Sequence, residues 1–559
     1  MVVDTRNDGV VYPVDSLVEL VVPSKEQKKE AELYVTMFDC SEKRGNNYAA
    51  LVFVLLFVLI GLPIWWMTTR VYRANLPYDR IRELSQRELI LPLNVTLIWL
   101  DGSDKELANA IRNHLENTLS RRRVSEHLVF DFRYTSRAAL DEERAKLFGP
   151  KLSATMKAVQ CNFSTELLGN LLVFLLPVGL SVPYHTFVGC QYPPDMYVIA
   201  DGQAVELSAR IAHHVLHVFI KEARLASLEV KSLQSASPEN VLDANFSTLR
   251  SEYALELFVV DPAPDGLPKV EAYSTLYLPI IDKFLGTLSP VVQTSITSQM
   301  LYYIDFPVAP SNNGSFHYLE AEKLPHLINS MESYMGSYVT TRPVVRLLVY
   351  LTPQEVSPLY ILKEDGSIAM YNSFVVNGWG GVVIVNDDAS KGLGKNAQLA
   401  MVALLRNFLG LGTDQSIQRR RAPICPWELQ MLMYHACADN ALTSVRTLTS
   451  LISLLNRISN IVINDEVASR IDKSVIALQA VYSSLTMPVN LTAAALNASI
   501  AYRYSEQAFF DHSLLSLLYF PEDQKYAIYV PLFLPVCFPV VLSVFRMVRS
   551  LKYAKTKQE

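Results

Sequence analysis

Two apolar stretches without a single Asp, Glu, Lys, Arg or His bracket most of this 559-residue chain, Tyr48–Met67 and Tyr526–Phe545. Each is 20 residues long, and at about 1.5 Å per residue a helix of that length spans the hydrocarbon core of a bilayer. The pattern predicts two transmembrane helices, with both chain ends on one side of the membrane and 68–525 on the other. Those 458 residues suffice for two or three domains with complete cores.

The orientation follows from the flanks. Lys43 and Arg44 precede the first stretch, but Arg70, Arg73, Arg80 and Arg82 follow it, so its signal is divided. Beyond the second stretch stand Arg546, Arg549, Lys552, Lys555 and Lys557 against Glu559, which places this basic tail in the cytosol. The first stretch starts too far from Met1 for an ordinary cleaved signal and reads as a signal-anchor, with Trp65 and Trp66 at the headgroup level. Lys555 and Lys557 also match a dilysine retrieval pattern, an address of the endoplasmic reticulum, with a plain basic anchor as the alternative.

The middle region then faces an oxidising lumen, and two of its features fit. Glycosylation acceptors occur at Asn94, Asn162, Asn245, Asn313, Asn490 and Asn497, all between the spans. Of six cysteines, Cys161, Cys190, Cys425 and Cys437 lie in the same region. They allow two disulfides in three pairings; spacing favours Cys161–Cys190 and Cys425–Cys437, and four buried thiols are the alternative.

Between the spans, β-branched runs at Leu93–Leu100, His127–Tyr134, Met196–Ala200, Tyr253–Val260, Val344–Leu351 and Gly381–Val385 read as strands. They alternate with helical patterns at Asp104–Leu119, Ser136–Phe148, Val205–Leu225, Lys269–Leu288 and Asn396–Leu409, which predicts a mixed α/β fold. Past Pro426 the periodicity becomes wholly helical, with Asn464 as an expected N-cap and Asp465 and Glu466 in the turn that follows. The expected layout is a loosely ordered cytosolic tail (1–47), a first span (48–67), a luminal α/β domain (68–426), a luminal helical region (427–525), a second span (526–545) and a basic cytosolic tail (546–559). No internal repeat is visible in the sequence.

Catalytic constellations are hard to find. A net charge of −5 offers no basic field for nucleic acid. His213 and His217 stand at i, i+4, but H-E-x-x-H lacks its Glu here and ordinary helix histidines explain them better. Gly392-Leu393-Gly394-Lys395 lacks phosphate-loop spacing and reads as a turn before a helix. His435 and Cys437 are neighbours in sequence only, and Arg121–Arg123 and Arg419–Arg421 read as solvated charges. No G-x-S-x-G elbow, C-x-x-C or D-x-D triplet is present. No catalytic, cofactor-binding or metal-binding residue is assigned, and no cofactor is expected. Pro531, Pro535 and Pro539, one turn apart in the second span, each remove an amide donor and point to helix packing against other subunits.

Several strings carry a resemblance. They are Gly61-Leu62-Pro63-Ile64-Trp65-Trp66 with Tyr72-Arg73-Ala74-Asn75-Leu76-Pro77-Tyr78, Gln299-Met300-Leu301-Tyr302-Tyr303, Leu324-Pro325-His326-Leu327-Ile328-Asn329, Ser357-Pro358-Leu359-Tyr360-Ile361 and Trp379-Gly380-Gly381. Further on come Ile458-Ser459-Asn460-Ile461-Val462-Ile463-Asn464-Asp465-Glu466, Leu517-Leu518-Tyr519-Phe520-Pro521-Glu522-Asp523-Gln524-Lys525-Tyr526 and Pro531-Leu532-Phe533-Leu534-Pro535. In order and at compatible spacing they resemble the PIG-S family, subunits of the glycosylphosphatidylinositol (GPI) transamidase. The likeness is faint around 136–190 and absent from the first 47 residues.

The resemblance implies a non-catalytic subunit in the endoplasmic reticulum membrane that scaffolds attachment of preformed GPI anchors to precursor proteins. The thiol nucleophile would belong to a caspase-like partner subunit. Implied partners are the other transamidase subunits and membrane lipid, with GPI lipid and precursor protein as further contacts and no nucleic acid. Two other readings compete with it: a membrane-anchored luminal hydrolase or glycosyltransferase acting alone, and a receptor that grips the apolar tails of precursors.

Overall fold

The computed structural model describes residues 51–61, 72–100, 105–148, 169–178, 185–189, 193–226, 250–262, 278–304, 309–320, 331–336, 342–363, 365–376, 379–386, 393–411, 424–457, 463–486, 488–516 and 522–556, with a few isolated positions between them. They fall into two units: 74–459 with 463–514, and 1–73 with 460–462 and 515–559.

The larger unit opens with α1 (Tyr78–Gln86) and a first α/β half. Its elements are β1 (Leu89–Trp99), α2 (Lys105–Thr118), β2 (Arg121–Arg123), β3 (Leu128–Ala138), α3 (Asp141–Phe148), β4 (Asn170–Leu176), β5 (Thr186–Val188), β6 (Asp195–Ile199) and α4 (Ala204–His214). The sheet order is β2-β3-β1-β4-β6-β5, with β3, β1, β4 and β6 parallel and β2 and β5 antiparallel at the edges. Alternating residues of a strand share one face, and β1 buries Leu89, Leu91, Leu93, Val95 and Leu97 on one face completely, with Ile98 buried on the other.

Pro92 is an unexpected residue for a central strand, because proline has no amide to donate. The position explains it. Leu89 N donates to His127 O beside β3 while Asn94 N donates to Gly169 O beside β4, so even-numbered amides of β1 point toward β4. The β1–β4 pairing starts only at Asn94, so Pro92 sacrifices no ladder bond.

A second half follows: β7 (Glu252–Asp261), α5 (Pro279–Leu288), β8 (Gln293–Tyr302), β9 (Ser311–Asn312), β10 (His317–Glu320), β11 (Val344–Leu351), β12 (Leu359–Leu362), β13 (Ser373–Val376), β14 (Gly380–Val385) and α6 (Lys395–Phe408). Its main sheet runs β8-β7-β11-β14-β13, parallel except for β13. Strands β9, β10 and β12 form a small separate sheet.

The two halves share one topology. In each, the four parallel strands are ordered second, first, third, fourth along the sheet, and an antiparallel strand that precedes the fourth in the chain flanks it. In each, the helix after the first strand packs on the helix after the last, α2 on α4 and α5 on α6. The repeat lies in the topology, although no internal repeat is visible in the sequence.

Three long helices follow, α7 (Pro426–Arg457), α8 (Asp465–Ser484) and α9 (Leu491–Phe509), with a short helical turn at His512–Ser516 after them. Small residues set their spacing; Ala494, Ala498, Ala501 and Ser505 on α9 are buried, and Ser474 on α8 donates to Ala501 O at 2.8 Å. Asn464 caps α8 as expected, accepting from Val467 N at 2.8 Å, and Asn490 caps α9 in the same way.

Both halves are fastened to the first turns of α7. On the first-half side, Tyr434 OH donates to Pro92 O (2.6 Å), Gln430 Oε1 accepts from Gly169 N (3.0 Å), and His435 Nε2 donates to Ile220 O (2.7 Å). On the second-half side, Arg406 of α6 and Glu428 of α7 form a bidentate pair at 2.9 and 2.7 Å, with side chains only 2% and 3% exposed. Beside it α6 ends in a Schellman turn: Leu411 N donates to Arg406 O, Gly410 N to Asn407 O, and Gly410 sits at φ +72°. The free carbonyls of Leu409 and Gly410 accept from Arg224 (2.8 Å) and Lys221 (2.6 Å), two cations at the end of the first half.

Several sequence expectations need correction. The helix expected over Val205–Leu225 passes into a π turn at Val215–Ile220 and is interrupted where Lys221 turns left-handed at φ 53°, with helix again over 222–226. The pattern at Ser136–Phe148 is strand as far as Ala138, with an eight-residue helix after it. Of the helix expected over Lys269–Leu288, Pro279–Leu288 is present and 269–277 lie outside the described residues.

In the smaller unit, the described helix at the first apolar stretch is Leu51–Gly61, and Trp65 and Trp66 lie outside the described residues. The second stretch belongs to a helix over Glu522–Thr556 containing Pro531, Pro535 and Pro539, and it bends by 51° between Ala527–Pro535 and Cys537–Arg546. Proline at 539 clashes with the carbonyl four residues earlier, at Pro535, which puts the bend there. Among the described residues no single helix is long and apolar enough to cross a membrane; this bent pair reaches that length and apolar composition only when its two parts are taken together.

Removing one partner of a buried ion pair strands the other charge, at a cost of about 3–5 kcal/mol. Arg406→Met or Glu428→Leu alone is therefore expected to lower the thermal unfolding temperature strongly. The double variant Arg406→Met/Glu428→Leu should recover more than half of the loss.

Candidate functional site

His213 and His217 lie on α4 and its π turn with ring centroids 4.4 Å apart, and His214 Nδ1 bonds Arg210 O. Among the described residues no group of three His, Cys, Asp or Glu side chains is placed to hold a metal ion. Ser208 and His114 meet at 2.8 Å, but Ser208 Oγ already donates its proton to Val205 O at 2.7 Å. The imidazole is thus the donor in that contact and does not act as a base toward the hydroxyl. His185, Asp201 and Arg210 form a surface triad in which Asp201 bonds both partners. Hydrogen bonding to Arg210, then to His185, holds the Asp201 carboxyl below its usual range.

His435 and Cys437 are buried on α7, and their protonation states are opposite to those of a thiolate–imidazolium pair. Burial, reinforced by the charge of Arg224, lowers His435 to about 3, and burial raises the Cys437 thiol to about 12. The imidazole is a neutral structural donor and the thiol is inert.

Cys437 is free, whereas Cys425 is disulfide-bonded. The expected Cys425–Cys437 pairing is therefore not formed. Twelve residues along one helix separate Cα atoms by about 18 Å, and a disulfide spans less than about 7 Å. Cys161 and Cys190 lie outside the described residues.

The acceptor asparagines divide by environment. Asn313 and Asn490 are exposed and Asn497 is half-buried on α9. Asn94 sits inside the central strand β1, with its Nδ2 donating to Asn170 Oδ1 at 3.1 Å. Asn162 and Asn245 lie outside the described residues, as do Gly392, Arg419–Arg421 and Lys557; Lys555 falls within the terminal helix. Gly394 and Lys395 start α6 as N-cap and first residue.

Parallel α/β sheets bind ligands beyond the carboxyl ends of their strands. At the ends of β11 and β14 protein fills that position. Asn386 Oδ1 accepts from Thr352 Oγ1 (3.0 Å) and Leu359 N (2.9 Å), and its Nδ2 donates to Leu359 O (3.0 Å), tying the small sheet in place.

A groove of about 350 Å³ does exist, between the first sheet and the end of α8, lined by Arg87, Glu88, Arg121, Asp131, Arg133 and Tyr482 with apolar neighbours. Its charges largely satisfy one another: Glu88 pairs with Arg121 and Arg123, and Asp131 with Arg133. Arg87 lies over the Tyr482 ring, 4.3 Å from its centroid. The run Arg121–Arg123, read as solvated charge, is edge strand β2 held by these acids and by Glu222. No linear pattern brings residue 87 to residue 482, so only the fold reveals the groove.

Two measurements check the protonation states. Cys437 should resist alkylation in the folded protein and react after denaturation. His435 folded near 3 against an ordinary 6.5 means the unfolded chain binds the extra proton between those values. Stability should therefore fall with decreasing pH, by about 1.4 kcal/mol per unit below 6.5 from this residue alone. His435→Gln should flatten that part of the profile.

Comparison with known proteins supplies what this chemistry does not. A family model described as "Phosphatidylinositol-glycan biosynthesis class S protein" matches residues 52–554. A Bos taurus protein named "GPI-anchor transamidase component PIGS" is 32% identical, over 93% of this chain and 98% of that protein. A Homo sapiens protein of the same name is 31% identical over 92% and 97%. A Schizosaccharomyces pombe protein named "GPI transamidase component PIG-S homolog" is 22% identical over 94% and 88%. The chain belongs to the PIG-S family.

Proposed function

We propose that this chain is a non-catalytic subunit of a GPI transamidase, holding the catalytic subunit and its companions together while preformed GPI anchors are attached to precursor proteins. The observation that carries this reading is the family match over 52–554, with relatives of that name covered over nearly their whole length. In this reading the nucleophile is supplied by another chain, a caspase-like partner.

In this reading the protein spans the endoplasmic reticulum membrane twice, at 48–67 and 526–545, with both termini cytosolic and the α/β and helical regions luminal. The described parts of both apolar stretches expose large side chains, Leu59 at 62%, Phe538 at 61% and Phe545 at 65% among them, a surface that lipid or neighbouring helices would cover. A disulfide at Cys425 suits an oxidising compartment. Among the described residues, Asn313 and Asn490 are the acceptors best exposed for glycan attachment. Pro531, Pro535 and Pro539 free carbonyls that helices of other subunits would satisfy.

Detergent purification of the tagged chain should recover a caspase-like subunit in stoichiometric amount, and the purified chain alone should show no turnover. Recovery without that subunit, or turnover alone, would favour the membrane-anchored enzyme instead. In sealed microsomes, protease added from the cytosolic side should trim only the ends; digestion of 68–525 would reverse the orientation.

A further inference from the structure

The shared topology of the two halves exposes one difference. In the first half, the strand reached through α2 is β3, and its outer edge is covered by β2, paired through Arg121↔Asp131, Arg122↔Phe130 and Arg123↔Val129. The counterpart of β3 in the second half is β8, which pairs with β7 over all ten of its residues and, among the described residues, with nothing on its other side. The chain between α5 and β8, 289–292, is too short to supply a covering strand, whereas 119–127 in the first half contains β2.

Open edges of this length are normally protected by lysine, proline, a bulge or an inward charge. β8 reads Gln-Thr-Ser-Ile-Thr-Ser-Gln-Met-Leu-Tyr, with no charge and no proline, and its register with β7 is unbroken. The middle of the strand, Ile296, Thr297 and Ser298, is exposed on three consecutive positions, so both faces as well as the edge are open there. Gln293 N donates to Ser251 O and Tyr303 N to Asp261 O, which fixes the odd-numbered amides toward β7. The even-numbered residues Thr294, Ile296, Ser298, Met300 and Tyr302 therefore direct their amides and carbonyls outward.

We propose that β8 is a β-augmentation site, whose outer edge takes one extended, uncharged strand of another polypeptide in the assembly. The seated strand β2 shows that the matching edge of the same topology accepts a strand. The arginines of β2 find carboxylates at Glu88 and Glu222, whereas β8 itself carries no charge to select a charged partner. That the partner is a transamidase subunit rests on the function proposed above; that the edge is a strand acceptor does not.

The test places a photo-crosslinking residue at Ser298 in the full-length chain, purified in detergent with its partners. Irradiation should join Ser298 to a segment of one other subunit. Ser298→Pro removes an outward amide without touching the β7 ladder, and Ser298→Lys adds an edge charge. Each should reduce recovery of that subunit about tenfold, as expected for blocking strand addition. If Ser298→Pro misfolds, Ser298→Lys and the crosslink still decide the matter. A crosslink only to this chain's own segments, only to a second copy of it, or to nothing while the complex stays intact would overturn the proposal. Loss of the caspase-like subunit from the unmodified chain would instead refute the function reading and leave a crosslink at β8 interpretable by itself.

Discussion

The junction at the end of α6 holds the larger unit together. Arg406 and Glu428 bury opposite charges with almost no solvent, joined by two charge-assisted hydrogen bonds, so losing either partner strands the other. Around them Lys221 and Arg224 bind the last carbonyls of α6, and His435 binds Ile220. Burial lowers both cations from their ordinary values, so this neighbourhood is electrostatically costly unless every partner is in place. A polar junction of that kind admits one arrangement of the two halves on α7, where an oily contact would tolerate sliding.

Much of the fold was legible in the residues, because buried parallel strands announce themselves as apolar runs. β11 matches the expected Val344–Leu351 residue for residue, and β1, β3, β6, β7 and β14 lie within a few positions of expectation. The helical layer was legible from its periodicity, and Asn464 from its place before two acids. What escaped has physical reasons. β8 is rich in Ser, Thr and Gln because both its faces are largely exposed, so it carries no hydrophobic signature. Arg121–Arg123 lacks any apolar pattern; its side chains are exposed, as read from the sequence, while its backbone pairs with β3 and its charges meet Glu88 and Glu222. Cys425 and Cys437 are close in number and far apart in space, since a helix keeps them on one rod.

The site was less legible than the fold. Spacing alone suggested metal ligands at His213 and His217 and a thiol–imidazole neighbourhood at His435 and Cys437, and spacing also argued against both. The structure adds the directions of the hydrogen bonds: a serine already donating, an imidazole bound to a carbonyl, a thiol without a base. Membership of the PIG-S family came from order and similarity along the whole chain, which chemistry at single positions does not encode.

Pro92 has an effect beyond its own turn. Since it lies on the side of β1 that meets β4, yet ahead of the first paired residue, it works as a stop peg for the sheet. Extending β4 toward its N-terminus would bring its backbone against a ring with no proton to offer, and sliding the strand by one position would turn Leu171 and Val173 out of the core. One residue thereby keeps the first sheet in register, and the carbonyl it presents to Tyr434 lends that alignment to the longest helix of the unit.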